Sequence, residues 1–168
     1  LGHTFAGSER SYEQRSFLTW LTKTIAHHKV DLLIVAGDLY DSVNPSATAS
    51  QLFFDFAREL HTAVPSCRTL TIAGNHDSPA RLQAPQSVLS DYGIRVVSEV
   101  GWTPEGQLLN DFPLHYQGAD GCAVEVYPLP FMRPSDLPPG VRPEDGVATL
   151  ASLYQPEILA EVTLPRIA

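Results

Sequence analysis

The chain has 168 residues and a mass of 18.4 kDa, one domain's length and enough to bury a core without disulfide or metal staples. Its 43% hydrophobic and 18% charged residues exclude a disordered or fibrous protein, and no apolar run approaches the roughly 18 residues of a membrane span. With 11 basic against 19 acidic residues the net charge is −8, which argues against gripping nucleic acid through bulk charge but not against meeting phosphate through bound metal ions.

Cys67 and Cys122 are too few and too distant for a disulfide framework, and they do not stand at a zinc spacing. They read as thiols of a reducing compartment, which points to the cytoplasm. Leu1-Gly2-His3 at the start and Leu164–Ala168 at the end read as interior sequence. Both ends are expected to be cut from something longer.

Ser8 to Lys29 reads as a helix. Phe17, Leu18, Leu21 and Ile25 recur at spacings of three and four on one face, with Trp20 flanking it. Ser11 and Gln14 have the form of a capping box. Asp31 to Ala36 is a short apolar run ending in Gly37, the mark of a strand buried on both faces in a parallel sheet. Ser46 to His61 follows Pro45 as a second helix, with Leu52, Phe53, Phe56 and Leu60 as its buried stripe.

Arg68 to Ala73 is a second buried strand, again ending in glycine, at Gly74. Pro79 to Tyr92 is helical in part, disturbed by Pro85 and closed by Gly93. Ile94 to Val97 is a third strand. This alternation defines an α/β fold. Beyond Val100 the pattern changes. Gly101 to Ala119 is irregular, with a short strand expected at Leu108-Leu109. Cys122 to Tyr127 alternates as a strand with one wet face, in a second sheet or at an antiparallel edge. Pro128 to Pro143 holds six prolines and excludes regular structure. A last helix is expected over Gly146 to Tyr154.

The chemistry gathers where the first two strands end. One runs into Gly37-Asp38-Leu39-Tyr40-Asp41, the other into Gly74-Asn75-His76-Asp77. Ligands of open α/β sheets bind beyond the carboxyl ends of the strands, and the right-handed crossover rule makes these two strands neighbours. Asp38 is a hard oxygen ligand able to bridge two divalent ions. Asn75 offers a neutral carbonyl oxygen to the second. His76 can donate a proton to a leaving oxygen. Asp77 can orient His76 through a carboxylate–imidazole hydrogen bond. Asp41 is either a partner behind the metal ligands or the cap of the following turn. Each cluster alone also fits a helix cap or a polar turn; both together at adjacent strand ends make a site.

These two clusters resemble the second and third of five motifs of the calcineurin-like metallophosphoesterases: Asp-x-His, Gly-Asp-x-x-Asp, Gly-Asn-His-Asp or -Glu, Gly-His and Gly-His-x-His. The resemblance implies a double β-sandwich flanked by helices and a phosphoesterase holding two metal ions. Leu1-Gly2, the following helix, Ile34 to Asp41, Ala73 to Ser78 and Pro128-Leu129-Pro130-Phe131-Met132-Arg133-Pro134 narrow it to the SbcD family, the nuclease subunits of bacterial SbcCD complexes. The likeness covers roughly residues 1 to 136 of a single partial phosphoesterase domain and leaves 137 to 168 unassigned.

The resemblance makes Asp38 similar to the bridging aspartate, Asn75 to a ligand of the second ion and His76 to the catalytic histidine that assists the leaving group. Asp77 and Asp41 would support them. It implies two divalent ions, Mn2+ by preference, DNA as substrate, a coiled-coil ATPase partner of the SbcC type, and a homodimer within a heterotetramer, with no membrane. The Ser8–Lys29 helix is the candidate dimer contact. Exonuclease and endonuclease activity in DNA repair, recombination and replication would follow. Asp-x-His is expected just before Leu1, and the two later histidine motifs are absent, so this chain alone should bind metal weakly.

Arg133 either contacts a DNA phosphate or caps a carboxylate. His3 reads as a solvent-facing loop residue, with a place lining the active-site mouth as the alternative. His27, His28 and His61 suit helix C-termini, and His115 lies in an irregular segment. Two alternatives stay open: a phosphoesterase acting on a small phosphodiester or nucleotide, and an inactive domain serving as a binding module.

Overall fold

The computed structural model describes residues 1–146 and 166–167. The chain divides into two units, Leu1–Ser98 and Glu99–Ala168.

The first unit begins with a small antiparallel hairpin, β1 (Thr4–Phe5) and β2 (Ser8–Glu9). Its turn places Ala6 at φ 49° and Gly7 at φ 77°. Two positive-φ residues form the tight turn that matches strand twist. The expected helix therefore starts later, as α1 (Ser11–His28). The expected capping box is absent. Ser11 is already helical, no side chain caps this end, and Gln14 instead accepts a hydrogen bond from the Gly2 amide at 3.0 Å. Lys29 closes the helix at φ 52°.

The inward face of α1 is narrower than its pattern suggests. Ile25 and Thr22 are buried and Leu18 and Leu21 pack partly against the core. Phe17 and Trp20 are 54% and 56% exposed and stack on one another at 5.6 Å. The reason is that α1 packs on a second helix, which covers a stripe too narrow to include Phe17.

That helix is α2 (Ala47–Ala63). The Ser46 hydroxyl accepts from the Ala49 amide at 3.1 Å, an N-cap worth about 1 kcal/mol. Leu52, Phe53, Phe56 and Leu60 are all buried, as their spacing requires. Three parallel strands form the sheet in the order β3 (Leu32–Ala36), β4 (Arg68–Ile72), β5 (Ile94–Val97). β4 is central and carries Leu70 and Thr71 at 0% exposure. β3 is only half buried, contrary to a strand covered on both faces, because among the described residues it has a neighbour on one edge alone. Pro85 splits the next helical stretch into α3 (Pro79–Gln83) and α4 (Gln86–Asp91). Gly93 then turns into β5 at φ 73°.

In the second unit, β6 (Leu114–Gln117) pairs antiparallel with β7 (Ala123–Val126), and β8 (Arg166–Ile167) pairs parallel with β7. β7 is the alternating strand expected from the sequence, in a second sheet, though Glu125 on it is half buried and meets the Tyr127 hydroxyl at 3.3 Å. β6 was not anticipated; it contains His115, exposed, beside buried Leu114. Leu108 makes a single bridge with Trp102 and not a strand. The proline-rich stretch is irregular apart from short 3-10 turns at Pro134–Asp136 and Pro143–Asp145. The helix expected at Gly146–Tyr154 lies almost wholly outside the described residues. No described helix is long and apolar enough to cross a membrane. Cys67 is buried, whereas Cys122 is exposed.

Candidate functional site

β3 and β4 run parallel and in register, Ala36 beside Ile72, so their outgoing loops leave side by side. The Gly37 amide still donates to the Ile72 carbonyl at 2.9 Å. The chain then turns through two left-handed residues, Gly37 at φ 87° and Asp38 at φ 43°. A non-glycine residue in that region costs of order 1 kcal/mol or more, and such strain concentrates at functional sites. It leaves the Asp38 carboxylate exposed at the sheet's end.

The neighbouring loop is fitted tightly to it. A Cβ on Gly74 would fall onto the Asp38 carboxylate and amide. Only glycine allows this approach. Asp38 Oδ1 accepts a hydrogen bond from the His76 amide at 2.9 Å. Asp38 and the Asn75-His76 segment are thus brought together, and Asn75 and His76 are both exposed.

Asp77 does not play the part expected of it. It is 1% exposed, and its carboxylate accepts from three backbone amides: Leu39 at 3.1 Å, Tyr40 at 3.0 Å and Gly74 at 2.9 Å. A buried carboxylate needs such donors, and the converging strand ends supply them. Asp77 therefore bolts the two loops together and does not orient the His76 ring.

The His76 ring meets the Asp41 main chain instead. His76 Nδ1 lies 3.0 Å from the Asp41 carbonyl oxygen. A carbonyl only accepts, so Nδ1 carries a proton. The Asp41 carboxylate meets His3 Nδ1 at 2.9 Å. His3 is thereby drawn to the site's edge and is not a free loop residue. No local signal in the sequence joins positions so far apart.

Leu1 lies alongside this loop. Its nitrogen donates to the Leu39 carbonyl, and its own carbonyl accepts from the Asp41 amide at 2.8 Å. Tyr40 packs edge-on against Phe53 at 6.3 Å. Burial pushes its hydroxyl up to about 12, against a hydrogen bond to Ser50 that lowers it and the Asp77 charge that raises it further.

Arg133 belongs to the second unit. Its guanidinium lies over the Phe131 ring at 5.7 Å. Its amide, not its side chain, meets the Asp136 carboxylate at 2.7 Å. The guanidinium is exposed.

An exposed carboxylate and a carboxamide stand at adjacent parallel strand ends, with an imidazole held to the main chain of the Asp38 loop: a cluster of hard oxygen donors beside a proton-transfer group at the end of an α/β sheet. The chain belongs to the calcineurin-like phosphoesterases, whose family model matches residues 7–138. Among characterised proteins it is similar to the SbcD component of the SbcCD nuclease of Rhodobacter capsulatus, 33% identical over the whole of this chain and 44% of that protein. It is 34% identical to the SbcD component of Escherichia coli K12, over 82% of this chain and 32% of the relative. The Bacillus subtilis SbcD component is 36% identical over 58% and 25% respectively. The chain spans less than half the length of these relatives.

Family membership implies divalent metal ions. Asp38 and Asn75 have the donor chemistry for such ions. They fit as part of a coordination sphere: among the described residues no group of three or more His, Cys, Asp or Glu is placed to hold a metal ion.

Proposed function

We propose that this chain is part of a DNA nuclease of the SbcD type, hydrolysing phosphodiester bonds. The observation that carries the reading is the interlock of the two strand-end loops. Asp77 and Asp38 fix Asn75 and His76 beside the Asp38 carboxylate, and the relatives in which similar sequence occurs are named as nuclease subunits.

Asp38 and Asn75 would hold part of a pair of divalent ions, Mn2+ by preference. Such ions supply charge neutralisation at the phosphate and an activated water. His76 does the proton work. With Nδ1 held at the Asp41 carbonyl, the imidazolium presents Nε2–H to the leaving 3′-oxygen and returns as the neutral tautomer with Nδ1 still protonated. Exposed Arg133 contacts a DNA phosphate.

The partner is a coiled-coil ATPase subunit of the SbcC type. That fits a chain of net charge −8, which needs help to retain DNA. A homodimer is supported by the apolar outer face of α1, where Tyr12, Phe17 and Trp20 are all more than half exposed. The setting is DNA repair and recombination in the cytoplasm.

The acidic charge also favours a second reading, a small phosphodiester or nucleotide as substrate. The test compares the full-length protein, with Mn2+, on linear duplex DNA and on bis(p-nitrophenyl) phosphate. Degradation of DNA at the higher kcat/KM supports the nuclease. Hydrolysis of the small ester alone overturns it, and inactivity on both leaves the binding-module reading.

A further inference from the structure

Two imidazoles converge on one residue. His76 Nδ1 lies 3.0 Å from the Asp41 carbonyl and His3 Nδ1 lies 2.9 Å from the Asp41 carboxylate. Both acceptors lack protons, so both rings carry hydrogen on Nδ1. We propose that His3 is a positioning residue for His76, acting through Asp41.

Asp41 has few other anchors. Residues 41 to 44 are exposed or irregular. The Asp41 amide is anchored to the Leu1 carbonyl at 2.8 Å. That bond fixes the peptide before Asp41. The carbonyl that His76 uses belongs to the peptide after it, which leads into the exposed segment. Among the described residues the remaining tether is the side chain, and His3 meets it at 2.9 Å. His3 is itself fixed from behind. Gln14 on α1 accepts from the Gly2 amide at 3.0 Å and donates to the His3 carbonyl at 3.4 Å. A path of contacts therefore runs from α1 through Gln14 and His3 to Asp41 and the His76 ring.

Without His3, the Asp41 side chain is released to solvent and the following peptide gains freedom. The His76 ring then loses its fixed orientation: the neutral ring no longer keeps a single tautomer, and the imidazolium turns its Nε2–H to the leaving oxygen less often. This inference rests on the reading of His76 as the proton donor.

The chemistry of the two ring nitrogens provides the test. In the full-length protein, His3→Asn places a donor near Nδ1, His3→Gln places one near Nε2, and His3→Ala removes both. Selective 15N-histidine labelling reads the His76 tautomer, its signal assigned by its loss in His76→Ala. Kinetics on linear DNA with Mn2+ give kcat and KM. The expected result, read on the neutral ring, is a single Nδ1–H tautomer of His76 in wild type and His3→Asn, and a mixture in His3→Ala and His3→Gln. In the latter two kcat falls about three- to tenfold, the worth of one hydrogen bond, with KM unchanged. An unchanged His76 signal in His3→Ala overturns the proposal. So does full kcat in His3→Gln with a loss in His3→Asn, which would make His3 Nε2 a substrate contact. If wild type hydrolyses no DNA, the nuclease reading fails, and the tautomer measurement still decides the role of His3.

Discussion

Asp77 is buried where no cation is needed to keep it, because three backbone amides from two loops point at its two oxygens. Asp77→Ala strands those donors. Hydrogen bonds to a charged group are worth roughly 1.5–3 kcal/mol each, so the expected loss is at least about 3 kcal/mol in denaturant unfolding; a loss below about 1 kcal/mol contradicts the bolt. Tyr40, behind the same loop, links stability to alkaline pH. Its hydroxyl is raised from 10.0 to about 12 by burial. The folded state therefore holds its proton where the unfolded chain has lost it, and stability falls as pH rises from 10 towards 12. Tyr40→Phe is expected to flatten that part of the stability–pH profile. An identical slope in the variant contradicts the assignment. The types of these residues were legible, but their partners were not: a buried aspartate beside a histidine reads as its orienting group until the amides of Leu39, Tyr40 and Gly74 are seen to claim it.

The strand-end loops are the elements that make the site, and their close approach depends on Gly74. Gly74→Ala forces the Asp38 amide or carboxylate to move. It is expected to cost about 1–3 kcal/mol and to remove activity beyond what the lost stability explains, measured by melting and turnover of one preparation. Wild-type turnover in this variant contradicts a site built on that contact. At this scale the sequence was most readable where packing and local pattern agree. α2 shows all four stripe residues buried behind a Ser46 cap, and Pro85 and Gly93 punctuate α3, α4 and β5 as expected. It misled where tertiary partners override the local pattern. Gln14 looks like half of a capping box but is engaged by Gly2. Phe17 fits a helical stripe but lies beyond the surface that α2 covers. The turn at Ala6-Gly7 uses an alanine where Asn or Asp would signal a hairpin, so β1 and β2 were hidden. β6 is four residues long and follows Pro113, too short for alternation to speak.

On the scale of the whole molecule, a parallel α/β sheet and a second, largely antiparallel sheet occupy separate units. The first carries Asp38, Asn75 and His76, and the second carries Arg133. The two motif loops were readable because each combines a buried strand, a glycine and a polar cluster in one short stretch. The His3–Asp41 contact was not, because it joins distant positions through an exposed surface. In the proposed reading a chain of net charge −8 would leave the holding of DNA to metal ions and a partner, so the proposed activity stands on chemistry at the strand ends. The measurement that tests it most directly is Mn2+-dependent hydrolysis of linear duplex DNA by the full-length protein, wild type against His76→Ala. The predicted result is a fall in kcat of about 10²- to 10⁴-fold, the usual worth of a positioned proton donor, in a variant that melts as the wild type does. A His76→Ala protein that cuts DNA at the wild-type rate would contradict the role of His76 and the mechanism built on it.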